Sequence, residues 1–365
     1  MSRQETAAAL LPSLPSGARI LVIRLRSIGD IVLMTPALRL LKDWRPDLRI
    51  SVVVESRFRE LLEGNPDVEE VLGPGEHKSK VLSRLRAFGE LRRRKFSLCV
   101  NLHGGPTSTV LTTACGARWK AGFEHFRTRS IYHFLIPDAR TILGQPTVHT
   151  AEHQASAFFR LGLPRKEIPA ARLFVSQDNE AWWQAKRASL GPAANQEYAV
   201  IHPAALYATK QWAPENFARL GSYLEHQAGL LPVYSCGAGE SWVLEAVERA
   251  CEAPIRRLAG ASLGQFAAAL AGARLFVGND SGPAHMAAAL GRPSVVIFGS
   301  SSSPIWGPWP RQGPSRMVQN FYECNPCPGD RCYRFERPEC ILSVSFEQVR
   351  ATVEDVLTRS PQASH

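Results

Sequence analysis

Short runs of β-branched and aliphatic residues recur along this chain, each followed by a stretch with helical or turn character, and that alternation predicts parallel sheets covered by helices. In the first half the runs are Ile20–Leu25, Ile50–Val54, Val68–Leu72, Phe96–Leu102 and Arg118–Gly122. The pattern restarts with Tyr198–His202, Leu231–Ser235, Ile255–Leu258, Leu275–Gly278 and Ser294–Phe298. Between the two series, Leu163 and Pro164 through Pro169 and the polar stretch Ser176 to Glu180 read as connecting chain, which puts a domain boundary near residue 170. The expected division is a loose tail over 1–16, an α/β domain over 17–170, a second over 171–349, and a closing helix with a frayed end over 350–365. Two doubly wound domains that face each other place ligands at the carboxyl ends of their strands, so the loops after strands are where chemistry is sought.

Composition narrows the class. A chain of 365 residues with 45% hydrophobic and 21% charged content has enough apolar material for two folded cores. No apolar run reaches the roughly 18 to 20 residues needed to cross a bilayer. The first sixteen residues are too weakly apolar for a secretory signal. Eight cysteines in this length give no disulfide scaffold, and Cys99, Cys115, Cys236 and Cys251 sit in apolar or helical contexts typical of buried thiols. A reducing cytoplasm is the expected compartment. The net charge of +10 favours anionic partners such as phosphates or lipid headgroups. Much of it lies in His77, Lys78, Lys80, Arg84, Arg86 and the run Arg92 to Lys95, which also fits a solvated helix face. No zinc-finger, RNP or helix-turn-helix pattern accompanies the charge, so a nucleic-acid partner is not expected.

Four clusters follow predicted strands. The first is Arg24-Leu25-Arg26-Ser27-Ile28-Gly29-Asp30, running into the helical Thr35-Pro36-Ala37-Leu38. Gly29 permits close approach to a ligand, and Asp30 falls at a strand's carboxyl edge, as a reactive carboxylate or as a helix cap. No Gly-x-Gly-x-x-Gly follows this strand, which argues against a dehydrogenase. The second is Gly278-Asn279-Asp280-Ser281-Gly282-Pro283-Ala284-His285, a turn opening an alanine-rich helix whose first N–H groups suit an anion such as diphosphate. Asp280 or Ser281 as a plain cap and His285 as a packed residue are the bland alternatives. In the third, His202-Pro203 leads to Lys210 and Trp212, and a lysine there can neutralise phosphate charge or simply sit at the surface. The fourth, Cys236-Gly237-Ala238-Gly239-Glu240, offers an acid able to hold ribose hydroxyls, a weak signal alone.

Taken in order over residues 19 to 349, these strings resemble glycosyltransferase family 9, the ADP-heptose:lipopolysaccharide heptosyltransferases. The matching residues are Ser27 to Asp30 with Thr35 to Leu38, Lys210 and Trp212, then Gly278 to His285 with Gly291-Arg292-Pro293. The resemblance implies a GT-B fold of two facing Rossmann-like domains, the first holding the acceptor and the second ADP-heptose. It implies Asp30 as catalytic base, Lys210 as the phosphate-contacting lysine, Asp280, Ser281, Gly282 and His285 as the donor turn, and Glu240 as the ribose acid; Ser27 and Gly29 belong to the same substrate-binding set. It further implies an inverting, metal-independent transfer onto an anionic lipopolysaccharide core, by a cytoplasmic protein at the inner face of the membrane. Rival readings are a GT-B transferase with another sugar or acceptor, and a non-catalytic nucleotide-sugar or glycan binder.

Apart from that set stands Cys324-x2-Cys327-x4-Cys332-x7-Cys340. Its spacing admits a structural zinc site, reduced thiols, local disulfides or a redox role.

Overall fold

The computed structural model describes residues 7–73, 89, 91–190, 196–310 and 313–359. The chain separates into two compact units, Met1–Ala171 and Arg172–His365.

In the first unit, β1 (Arg19–Ile23), β2 (Arg49–Val53), β3 (Glu70–Leu72), β4 (Leu98–Asn101), β5 (Trp119–Phe123) and β6 (Phe134–Ile136) make one sheet in the order β3-β2-β1-β4-β5-β6. Every pairing is parallel. Ile20, Leu21, Val22 and Ile23 of β1 are fully buried, as a central strand covered on both faces requires, which is why it reads as an unbroken apolar run. The helix α1 (Ile28–Val32) follows β1 directly, then α2 (Thr35–Trp44), with Pro36 in its first turn where a missing N–H costs nothing.

Residues 7–16 do not form the expected loose tail. Leu10–Ser13 is a helical turn with Leu10 and Leu11 buried, and the Leu11 N–H donates to the Leu161 carbonyl at 2.9 Å. The Arg45 guanidinium donates to the carbonyls of Leu11 and Leu14 at 3.3 and 3.2 Å. A short apolar pair with its carbonyls held by a cation is enough to dock the segment; residues 1–6 lie outside the described residues.

The second unit repeats the connectivity. Its strands β7 (Tyr198–His202), β8 (Leu231–Ser235), β9 (Arg256–Leu258), β10 (Leu275–Asn279), β11 (Ser294–Phe298) and β12 (Ser315–Gln319) lie in the order β12-β11-β10-β7-β8-β9. These pairings are parallel too. In each sheet the chain starts in the middle, builds outward on one side, then crosses to the other. The strand order therefore reverses between β1 and β4 and between β7 and β10, where doubly wound sheets hold ligands.

The strands missing from the sequence reading are β6 and β12, one edge of each sheet. Leu135 and Met317 point outward at 39% and 40% exposure, so neither segment carries a continuous apolar signal. The closing helix, α3 (Phe346–Arg359), begins before residue 350 and belongs to the second unit. Val349, Val353 and Val356 are buried in one cluster with Val295, Val318 and Trp212. Residues 360–365, expected to fray, and the basic positions 77–86 lie outside the described residues. Among the described residues no helix is long and apolar enough to cross a membrane.

Candidate active site

In the first unit the turn after β1 is tied from several directions. Ser27 caps α1, and its N–H and hydroxyl both donate to Asp30 Oδ2, at 3.2 and 3.0 Å. Arg24 forms an ion pair with the other carboxylate oxygen and donates to the Leu102 carbonyl, bridging the loops after β1 and β4. Gln154, 1% exposed, donates to the Asp30 carbonyl at 2.9 Å. Asp30 is thus the capping-box partner of Ser27 inside the first turn of α1, and its side chain also remains 14% exposed at the strand-order reversal. Gly29 is buried beneath it and Ser27 is exposed.

Neighbouring loops add groups that the sequence reading passed over. Asn101 ends β4; its Oδ1 accepts from the N–H groups of His103 and Gly104, at 2.9 and 3.2 Å, and its amide donates to Tyr132 at 2.8 Å. Burial and the nearby Arg24 and Arg26 charges hold the half-buried His103 imidazole below its usual range. His153 stacks on Phe123 at 4.2 Å, and burial, with His125 and Arg24 adding repulsion, lowers its pKa to about 4. The His153 ring is therefore neutral at pH 7. An asparagine at the end of the fourth strand is the signal that could have exposed this loop cluster.

The second unit has an asparagine in the corresponding place. Asn279 ends β10, accepts from the Trp212 N–H at 3.2 Å and donates to the Pro203 carbonyl at 2.7 Å. It fastens the loop after β7 to the end of β10. A Cβ on Gly278 would lie 2.8 Å from the His202 carbonyl oxygen, so glycine is what lets these two strand ends close up. Lys210 reaches across and donates to Asp280 Oδ2 at 2.7 Å, and the Ser301 hydroxyl donates to the same oxygen. Asp280 is 6% exposed, while the Lys210 side chain is 23% exposed. A buried carboxylate with one cation and one hydroxyl holds the ammonium in place and leaves part of it open.

Ser281 precedes α4 (Gly282–Ala289), with Pro283 in its first turn. The Ser281 hydroxyl donates back to the Asn279 carbonyl at 3.2 Å, Pro283 carries no N–H and the Ala284 N–H donates to the Ser281 carbonyl at 3.1 Å, which leaves the half-buried Ser281 and Gly282 at the head of the helix, next in sequence to Asp280. His285, 5% exposed, is embedded in α4. The fold therefore brings Lys210, Asp280, Ser281 and Gly282 to one place. Glu240 stands in its own turn after β8, its Oε2 accepting from the Gly237 N–H at 2.8 Å. Ser301 and Asn279 were not given roles by the sequence reading, because only the sheet order sets β10 beside β7.

Cys324, Cys327, Cys332 and Cys340 line one cavity of about 240 Å³ together with Thr209 and Ser300. All four are free thiols, and no group of three or more His, Cys, Asp or Glu among the described residues is gathered closely enough to hold a metal ion. The donor set thus does not fit the structural zinc that the spacing allowed, nor are local disulfides formed. The irregular last spacing puts Cys340 on the short helix Glu339–Leu342, where it is buried.

The profile of glycosyltransferase family 9 (heptosyltransferase) matches residues 84–334. Lipopolysaccharide heptosyltransferase 3 of Escherichia coli K12 is 27% identical over 344 residues, covering 91% of this chain and 96% of that protein. Among solved structures, E. coli ADP-heptose LPS heptosyltransferase II superposes with a TM-score of 0.77 at 20% identity, covering 93% of this chain and 99% of that one. E. coli heptosyltransferase WaaC with ADP gives a TM-score of 0.70 at 21% identity, over 93% and 99%. Two all-parallel α/β units matched over this length are a GT-B fold. The chain belongs to glycosyltransferase family 9, the heptosyltransferases.

Proposed function

We propose that this glycosyltransferase moves a heptose from ADP-heptose to a lipopolysaccharide inner-core acceptor, with inversion at the anomeric carbon and without a metal ion or other cofactor. The observation that carries the reading is the Lys210–Asp280 pair beside the head of α4, where the second sheet reverses its order. An ammonium held in advance beside a helix head is what a departing diphosphate needs, because charge then develops against groups that need no rearrangement. Relatives whose names specify lipopolysaccharide, and solved relatives whose descriptions specify ADP-heptose or ADP, support the choice of substrates.

Asp30 is the proposed base. The exposed Ser27 hydroxyl donates to Oδ2 at 3.0 Å, and an acceptor hydroxyl can replace it there donor for donor. As the acceptor oxygen bonds to the anomeric carbon, its proton passes to Asp30 and the bond from that carbon to the ADP oxygen breaks on the opposite face. Lys210 and the amides at Ser281 and Gly282 receive the diphosphate charge, with His285 packed behind them. Glu240 is proposed to bind the ribose hydroxyls, which requires it to release Gly237. Arg24 and Arg26 give the acceptor side its positive charge. A peripheral seat at the cytoplasmic face of the membrane belongs to the same proposal and rests on the anionic acceptor and the net charge of +10.

The test is nucleoside-diphosphate release from purified protein given a panel of nucleotide sugars, with and without a heptose-deficient core oligosaccharide, in EDTA. Acceptor-dependent release from ADP-heptose alone is the expected result. Release from a different nucleotide sugar would move the specificity, and binding without turnover on any acceptor would make the chain a binder.

A further inference from the structure

We propose that the cysteine-rich segment 321–340 is a strap that positions the donor-diphosphate site, acting through Thr209. This rests on the reading of Lys210 and Asp280 as diphosphate groups.

Thr209 immediately precedes Lys210 on the turn Ala208–Lys210 and is 2% exposed. Its hydroxyl donates to the Gly329 carbonyl and accepts from the Ser300 hydroxyl at 3.1 Å. The segment grips the same place twice more. The Cys327 N–H donates to the Ser300 carbonyl at 3.1 Å, and the Asn325 amide donates to the Gly299 carbonyl at 3.1 Å. Gly299 itself lies so close to the Thr209 carbonyl and the Ile341 side chain that a Cβ there would collide with both. Two residues further along, Ser301 donates to Asp280, the partner of Lys210.

These contacts form a closed ring. Cys327 and Asn325 hold Ser300 and Gly299, Ser300 and Gly329 hold Thr209, and both ends of that hold, Lys210 and Ser301, meet on Asp280. A lysine on a flexible loop loses side-chain and backbone freedom when it binds phosphate; one whose preceding residue is already fixed loses less. The strap thus gives the lysine its setting while touching none of the reacting atoms, so Thr209 is a positioning residue. The thiol-lined cavity of about 240 Å³ is bordered by Thr209 and Ser300 of this ring.

The experiment titrates ADP into the full chain by calorimetry and measures donor KM and kcat, for wild type, Lys210→Ala, Thr209→Val, Thr209→Ser and Gly329→Ala. Gly329 has a φ of +87° and a Cβ there would stand 3.1 Å from the Ser300 hydroxyl, so Gly329→Ala disturbs the ring from the strap side. Expected are an increase of about tenfold in ADP Kd and donor KM for Thr209→Val and Gly329→Ala, kcat within about threefold, and recovery in Thr209→Ser. Loss of thermal stability alone, with unchanged ADP Kd in both variants while Lys210→Ala still weakens binding, overturns the strap and leaves the donor site standing. Unchanged ADP binding in Lys210→Ala overturns the donor site and the strap together. If Thr209→Val does not fold, Gly329→Ala decides: weakened ADP binding supports the strap and native binding refutes it.

Discussion

Lys210 Nζ lies 2.7 Å from Asp280 Oδ2 across 70 residues of chain, because the strands they follow, β7 and β10, are neighbours where the second sheet changes direction. Removing either charge should affect stability and donor binding together. Lys210→Ala leaves a carboxylate that is 6% exposed with Ser301 as its remaining hydrogen-bond donor, and should cost about 2 to 4 kcal/mol in urea unfolding and raise ADP Kd about a hundredfold. Adding Asp280→Asn to it should return part of the stability and none of the affinity. Strictly additive stability losses in that double-mutant cycle would show that the two residues are not coupled.

Asp30 serves the first unit as the capping-box partner of Ser27, and its proposed role as base is separable from that. Asp30→Asn keeps an oxygen for the Ser27 donors and should lower kcat by a factor of about 100 to 10,000, with ADP affinity unchanged because the donor groups belong to the other unit. Ser27→Ala should cost about 1 kcal/mol of stability and leave kcat within tenfold. Wild-type kcat in Asp30→Asn would assign the proton to another group.

Burial of His202 at the end of β7 holds its pKa at about 4. The unfolded chain takes up a proton as pH falls through about 6.5, whereas the folded chain does not until about 4. The stability this neutral imidazole leaves intact above pH 6.5 is therefore lost progressively between those values. His202→Gln should flatten the fall by close to one proton, about 1.4 kcal/mol per pH unit, in denaturant unfolding at pH 7, 6 and 5. Parallel curves for variant and wild type would place the acid sensitivity elsewhere, with His153 next to be replaced.

The docked N-terminal turn carries a stability prediction. Leu11 is fully buried and its backbone is bonded to Leu161, so Leu11→Ala should cost about 2 to 4 kcal/mol, read from the unfolding midpoint of the first unit. A loose tail would show a change within about 0.5 kcal/mol.

Most interior strands were legible because a strand covered on both faces must be apolar throughout, as in Ile20 to Ile23 and Val295 to Phe298. The edge strands β6 and β12 were not, since one side faces water and their side chains carry no run. The turn proposed to hold the donor was legible as a string: Asp280, Ser281 and Gly282 are consecutive, and a turn opening a helix has a local signature. Ser301, Gln154 and Thr209 carried no such signature. Each acts through a partner at least 21 residues away, as in Ser301 with Asp280, and no local pattern marks such a pairing.

By itself, then, the sequence determined the α/β class, the near-repeat of one alternating pattern, and the turns at which glycine, proline and serine interrupt a strand before a helix. These are local matters, decided by backbone freedom and by which faces must be apolar. The tertiary structure decided which turns share a place. It set Lys210 on Asp280, docked Leu11 against Leu161, and laid the cysteine segment over Thr209 and Ser300 without gathering its thiols into a metal site. Sheet order and strand crossing fix those contacts, because they choose neighbours among segments that the chain keeps far apart.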